Sequence, residues 1–242
     1  MNAILRLLDA TLGRILRHVF FICLRTYFSL FYNISCSNKH LLQPLPRGLI
    51  LATHVTRLDG PMVASLLYPA RRVLPAVHYN EYYHPAQFPI LMPSGCIPLS
   101  SPKSWPAEKR AERKAWAQDK LNKTIRQGKI VLLFPGGQAK RQEREVIQPH
   151  FSGAYDTLKA NPDCPVLILR IRGLSKYDIP VHDRFWSFLG IMRGRRHVGI
   201  SIERLEDGLD TSVGLERFNR ELEERFNAPP HWPAAHPAEG VS

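Results

Sequence analysis

GLILATHVTRLDGPMVASLLY, residues 48–68, decides the fold. Its opening run, GLILATH (48–54), is apolar, starts at a glycine and is too short for a helix, so it reads as a strand buried on both faces. DGPMVASLLY (59–68) reads as the helix that follows. Asp59 stands at its cap, and Pro61 falls in the first turn, where its missing N–H is not needed. A strand that hands over to a helix within a few residues is the building unit of layered α/β domains. The turn between them places His54 at the strand end and Asp59 at the helix start. Such turns lie at the mouth of a sheet, where α/β proteins keep their sites. A carboxylate on one imidazole nitrogen fixes the tautomer and stabilises the imidazolium, which leaves the other nitrogen to take a hydroxyl proton. His54 is therefore the candidate general base, with Asp59 as its partner.

Working toward the C-terminus, the alternation continues. RRVLPAV (71–77) and GCIPLS (95–100) read as strands separated by a Pro- and aromatic-rich loop. Residues 104–127 form a long charged helix, with Gly128 as its C′ residue, and KIVLLFP (129–135) is the clearest central strand. A helix near 151–158, strands at 165–172 and 197–204, and a helix over 212–226 complete the order. This pattern predicts an α/β domain over residues 39–227, with a largely parallel sheet flanked by helices. The remainder, 228–242, is rich in Pro and Ala and reads as a flexible, disordered tail.

Toward the N-terminus, residues 1–35 read as helix and 1–38 as a separate amphipathic segment. Ile4, Leu5, Leu8, Leu12, Ile15, Leu16, Val19 and Phe20 recur at helical spacing, with Arg6, Asp9, Gly13 and Arg17 on the other side. An aromatic second half follows: Phe21, Tyr27, Phe28, Phe31 and Tyr32. The apolar run is interrupted by arginines, unlike a cleavable signal. Its longest charge-free stretch, Thr26 to Asn38, is shorter than the roughly 20 residues a spanning helix needs. Two uses fit such a helix: lying in a membrane interface, or packing onto the domain's own core. Asn33–Gly48, with Pro44 and Pro46, reads as the linker into the domain.

Composition narrows the partners. In 242 residues, 33 Lys+Arg stand against 21 Asp+Glu, a net charge of +12, and a hydrophobic fraction of 44% excludes general disorder. So basic a chain fits nucleic acid, a lipid headgroup or a phosphorylated small molecule. The region Lys103–Arg144 holds 12 Lys/Arg and 4 acidic residues, and Trp105 and Trp116 there offer stacking surfaces for bases. Its charges are nevertheless spread around a helix and interleaved with acids, the pattern of a solvated face, so nucleic acid is not the expected partner. The four cysteines (Cys23, Cys36, Cys96, Cys164) form no CxxC and no zinc-spaced cluster, so no metal is implied. They read as reduced thiols in apolar sites, and Cys96 has no evident base to activate it.

One further segment bears on chemistry. IVLLFPGGQAKR (130–141) is an apolar strand running into Pro135-Gly136-Gly137, a tight turn whose N–H groups suit close approach to a ligand. Lys140, Arg141 and Arg144 follow it.

Together these residues resemble the glycerophospholipid (lysophosphatidate-type) acyltransferase family. Its hallmark is H-x4-D after a strand, often with Ser or Thr two residues past the His, and here that is His54, Thr56 and Asp59. Its second block is similar to GCIPLS (95–100). Its third is a strand ending Phe-Pro-Glu-Gly-Thr-Arg, and its Pro-Val strand is similar to CPVLILRIRGL (164–174). The order and spacing hold over about residues 40–205. The third block departs: Gly136 stands where the family usually has Glu, Gln138 replaces Thr, and Ala139 replaces Arg. Loss of that glutamate predicts a more open pocket beside the turn. A Phe-Pro-Gly-Gly form is similar to some relatives that acylate neutral glycerides.

The resemblance implies a glycerol-phosphate acyltransferase-like fold and a direct O-acyl transfer with no acyl-enzyme. A thioester of coenzyme A or acyl-carrier protein serves as co-substrate, and no cofactor is needed. His54 and Asp59 are then catalytic. Thr56, Arg57, Gly136, Gly137, Gln138, Lys140 and Arg141 fall around the acceptor, expected to be a lysophospholipid of the 1-acylglycerol-3-phosphate type. A neutral glyceride, an aminolipid or another hydroxylated acceptor remains open, as does a non-catalytic lipid-binding relative. The implied location is the membrane surface on its cytoplasmic face, held monotopically.

Overall fold

The structure, a computed structural model, describes residues 2–43, 45–56, 59–68, 73–85, 87–137, 144–174 and 196–229. At its centre, strands β2 (Gly48–Ala52), β3 (Val73–His78), β4 (Ile97–Leu99), β5 (Ile130–Leu133), β6 (Val166–Arg172) and β7 (Arg196–Arg204) join β1 (Tyr32–Ser37). They form a seven-stranded sheet ordered β1-β7-β6-β2-β5-β3-β4. Every pairing is parallel except β6 with β7. The largely parallel sheet expected from the alternation is therefore present, with its one antiparallel junction beyond β6.

Helices cover both faces. One layer comprises α1 (Asn2–Phe31) and α2 (Asp59–Leu67); the opposite layer comprises α5 (Ala107–Arg126), α6 (Gly153–Lys159) and α7 (Leu215–Asn227). Strand alternation divides the core accordingly. In β2, Ile50 and Ala52 pack with Phe28, Met62, Val63 and Leu67. Leu49 and Leu51 point the other way, among Leu121, Ile125, Leu158, Phe218 and Leu222. All five β2 residues are buried, which is why that strand reads as an unbroken apolar run rather than an alternating one.

Two stretches differ from the sequence expectation. The presumed linker after residue 33 begins with β1, an edge strand whose Tyr32, Ile34 and Cys36 pair with Arg196, Val198 and Ile200 of β7. Its interleaved Asn and Ser residues are those of a strand with one face open, and its partner lies more than 160 residues away, so nothing local announces it. The sheet thus takes in residues on the helical side of a boundary at 38. The loop between β3 and β4 contains two short helices, α3 (Tyr79–Tyr82) and α4 (Phe88–Ser94). The tail from residue 230 lies outside the described residues.

The N-terminal helix has two apolar sides. Phe21 and Phe28 are buried against the domain, and Phe21 stacks on Tyr68 with ring centroids 4.5 Å apart. Arg17, on the polar side of the sequence stripe, faces the domain and donates from Nε to the Pro93 carbonyl. Ile15, Leu16, Val19, Ile22 and Leu30 point away from it, each at least half exposed. One side of this helix thus covers the core, and the other is left open. Among the described residues no helix is long and apolar enough to cross a membrane.

Candidate active site

The carboxyl ends of β2 and β5 lie side by side, with Leu51 in register with Leu133. Each strand ends in one of the turns singled out by sequence. At the first, His54 Nδ1 lies 3.0 Å from Asp59 Oδ2. Asp59 is fully buried, while the His54 side chain keeps 20% exposure. The carboxylate reaches back into the turn just left by the chain. It accepts from the Val55 N–H, from the Thr56 N–H at 2.9 Å and from the Thr56 hydroxyl at 3.0 Å. Asp59 is the first residue of α2 and its carboxylate bonds backward, not to the helix N–H groups, so it closes the turn and holds the imidazole instead of capping α2. A buried carboxylate needs such donors to remain charged.

With Nδ1 engaged by Asp59, Nε2 is the nitrogen left to exchange a proton with a ligand. Phe134, the residue after β5, packs on the ring with centroids 4.6 Å apart, so one face of the imidazole is fixed by the neighbouring strand. Behind the turn, Thr53 Oγ1 accepts from the Ile171 N–H at 2.9 Å and ties it to β6. A hydrogen-bonded, packed and partly exposed imidazole at a sheet mouth is equipped for general-base work on a hydroxyl.

Thr56, expected at the acceptor, is buried at 1% exposure and fastens Asp59 instead. Arg57, Gln138, Lys140 and Arg141 lie outside the described residues. Gly136 and Gly137 are present at the second turn, but their surroundings differ from expectation. The Gly137 N–H donates to the Phe134 carbonyl at 2.9 Å, so it closes the turn rather than reaching for a ligand. Gly137 has φ 66°, and a Cβ there would meet Phe151 Cε2 at 2.7 Å, so both backbone and space require glycine. Among the described residues, Gly136 does not face open space. It is buried, and a Cβ there would fall 2.6 Å from Glu145 Oε1 and 3.2 Å from the Val146 carbonyl oxygen.

Sequence reading missed Phe134 as a support for His54, and Glu145 altogether. Phe134 was detectable as the last apolar residue before Pro135; Glu145 carried no local signal. Cys96 is buried next to Ser94, and burial pushes its thiol up to about 11, which leaves it unsuited as a nucleophile. Cations of α5 lie against Trp105 and Trp116, Lys109 at 4.2 Å and Arg113 at 3.9 Å from the respective ring centroids. Among the described residues no group of three or more His, Cys, Asp or Glu is placed to hold a metal ion.

No curated protein matches the chain significantly. Among solved structures it is similar to the 1-acyl-sn-glycerophosphate (LPA) acyltransferase PlsC from Thermotoga maritima, with a TM-score of 0.60 and 14% identity. That likeness covers 90% of this chain and 80% of the other, and at such identity it establishes the fold. The acyltransferase family model matches residues 33–172. The match runs from β1 through β6 and takes in the His54–Asp59 turn, the β4 block and the Pro135–Gly137 turn. With more than half its length matched, including both turns at the sheet mouth, the chain belongs to the acyltransferase family.

Proposed function

We propose that this acyltransferase moves a fatty acyl group from acyl-CoA or acyl-carrier protein to a hydroxyl of a lysophospholipid of the 1-acylglycerol-3-phosphate type. The observation that carries the reading is His54 Nδ1 held 3.0 Å from the buried Asp59 carboxylate. In this scheme His54 Nε2 takes the proton of the acceptor hydroxyl as its oxygen attacks the thioester carbonyl. The C–O bond forms, the C–S bond breaks, and the proton passes from the imidazolium to the departing thiolate. Asp59 stabilises the imidazolium in between. The net charge of +12 supports a phosphate-bearing acceptor, with Lys140 and Arg141 after the second turn as its expected contacts.

The test is incubation of the full chain with labelled acyl-CoA and a panel of lysophospholipids and glycerides, with products identified by mass. Acylated lysophosphatidate is the expected product. A protein active on monoacylglycerol alone would end the lysophospholipid reading.

The outward side of α1 supports a monotopic site of action on the cytoplasmic face of a membrane. Its exposed Ile15, Val19 and Ile22 offer an apolar surface, and the basic chain suits an anionic leaflet. The triple substitution Ile15→Ser, Val19→Ser and Ile22→Ser should lower co-sedimentation with anionic vesicles and leave Tm nearly unchanged. Truncation of residues 1–35 is a poorer test, because it also removes the buried Phe21 and Phe28 and most of β1. Undiminished vesicle binding by the triple variant would sink the membrane role of α1.

A further inference from the structure

Gly136 has no positive φ to explain it, so its reason is space, and Glu145 fills that space. Glu145 is 2% exposed, with its Oε1 2.6 Å from where a Cβ at 136 would be. Its backbone is fixed on both sides. The Glu145 N–H donates to Asn227 Oδ1 at 2.9 Å, and Asn227 Nδ2 donates back to the Glu145 carbonyl at 3.0 Å. Two residues on, the Ile147 N–H donates to Glu223 Oε2 at 2.8 Å. The returning segment is thus moored to the end of α7, and the carboxylate it delivers lies against the turn whose Phe134 packs on His54. Burying a carboxylate is unfavourable unless its surroundings compensate, so one this enclosed is a specific feature of the site.

We propose that Glu145 is the third-block carboxylate of this enzyme. It is a positioning residue whose carboxylate lies against the turn at position 136, in the space a side chain there would need, and it shapes the acceptor side of the sheet mouth. The proposal rests on the acyl-transfer reading above and deepens it. The turn has not lost a carboxylate through Gly136; it receives one from nine residues downstream. A side chain at 136 and the Glu145 carboxylate cannot share this space as it stands, because a Cβ there would fall 2.6 Å from Glu145 Oε1 and 3.2 Å from the Val146 carbonyl oxygen. Position 136 and position 145 are therefore alternatives, and glutamate at one requires a small residue at the other.

The test is a swap in the full chain: Glu145→Gln, Glu145→Ala, Gly136→Glu, and the double variant Gly136→Glu/Glu145→Ala. Thermal unfolding and acceptor kcat/KM are measured for each. Gly136→Glu alone should lower Tm, and adding Glu145→Ala should restore much of it; if Gly136→Glu leaves Tm unchanged, the shared-space premise fails whatever the activity. Glu145→Gln and Glu145→Ala should each lower kcat/KM by about tenfold or more, and the double variant should recover most of that loss. A merely structural Glu145 would give recovered Tm without recovered kcat/KM, which would overturn the positioning role. Glu145→Gln with wild-type kcat/KM would overturn it equally. A wild type with no acyl transfer would instead defeat the acyl-transfer reading and with it the kinetic part of this one.

Discussion

The turn after β2 closes on itself: within residues 54–59, Asp59 binds His54, the Val55 and Thr56 backbone N–H groups and the Thr56 hydroxyl. The turn after β5, one strand away at the same mouth, is held by residues that arrive later in the chain. Glu145 fills the space beside Gly136, Phe151 packs on Gly137, and Asn219 and Asn227 of α7 moor the segments that deliver them. The difference teaches where each kind of motif can be read. A site whose partners are a few residues apart has its spacing written in the sequence. A site assembled from a returning segment shows only its negative imprint, here two glycines.

The sharpest break of this comparison comes at the local turn. His54→Ala should lower turnover by about 10²–10⁴-fold while Tm stays near that of the parent, because the ring is at the rim and its loss opens little core. Asp59→Ala should fail on both counts. It removes the acceptor of three neighbouring donors besides His54, and hydrogen bonds to a charged group contribute about 1.5–3 kcal/mol each. Turnover assays and thermal melts on the two variants separate chemistry from closure. A well-folded His54→Ala protein with parental turnover would refute the base assignment.

A smaller effect sharpens the other side. Asn219 is 3% exposed and its Nδ2 lies within reach of the carbonyls of Gln148, Pro149 and Phe151, the last at 3.0 Å. Asn219→Ala should cost about 1–3 kcal/mol of stability by leaving those carbonyls without a partner. It should also reduce turnover by about tenfold or less, through Phe151 and the turn it supports. Denaturant unfolding and kinetics on one preparation would read both. Lost stability with fully parental kinetics would show that the second turn keeps its shape without α7.

Much of the scaffold was legible because β-strands buried on both faces must be apolar throughout and helices packed on one side must repeat near 3.6 residues. GLILA and IVLL met the first condition, as did the VLIL start of the third run, and they became the adjoining strands β2, β5 and β6. Gly128 was recognised as the stop of α5, and it does adopt φ 73°. β1 was illegible because an edge strand buries one face only and finds its register in β7, far along the chain. The short helices α3 and α4 were hidden by their prolines and aromatics.

The sequence by itself determined the layered α/β class, the strand-to-helix turn that carries the site, and the pairing of His54 with Asp59. Each depends on periodicity or spacing within a few residues. Only the tertiary structure decided that the polar side of α1 at Arg17 faces the domain, and that Thr56 fastens Asp59. It alone decided that the space at Gly136 belongs to Glu145. Those outcomes depend on which surfaces meet after the chain has folded back. A contact between residues far apart, or between a side chain and the absence of one, leaves no period in the sequence from which to read it.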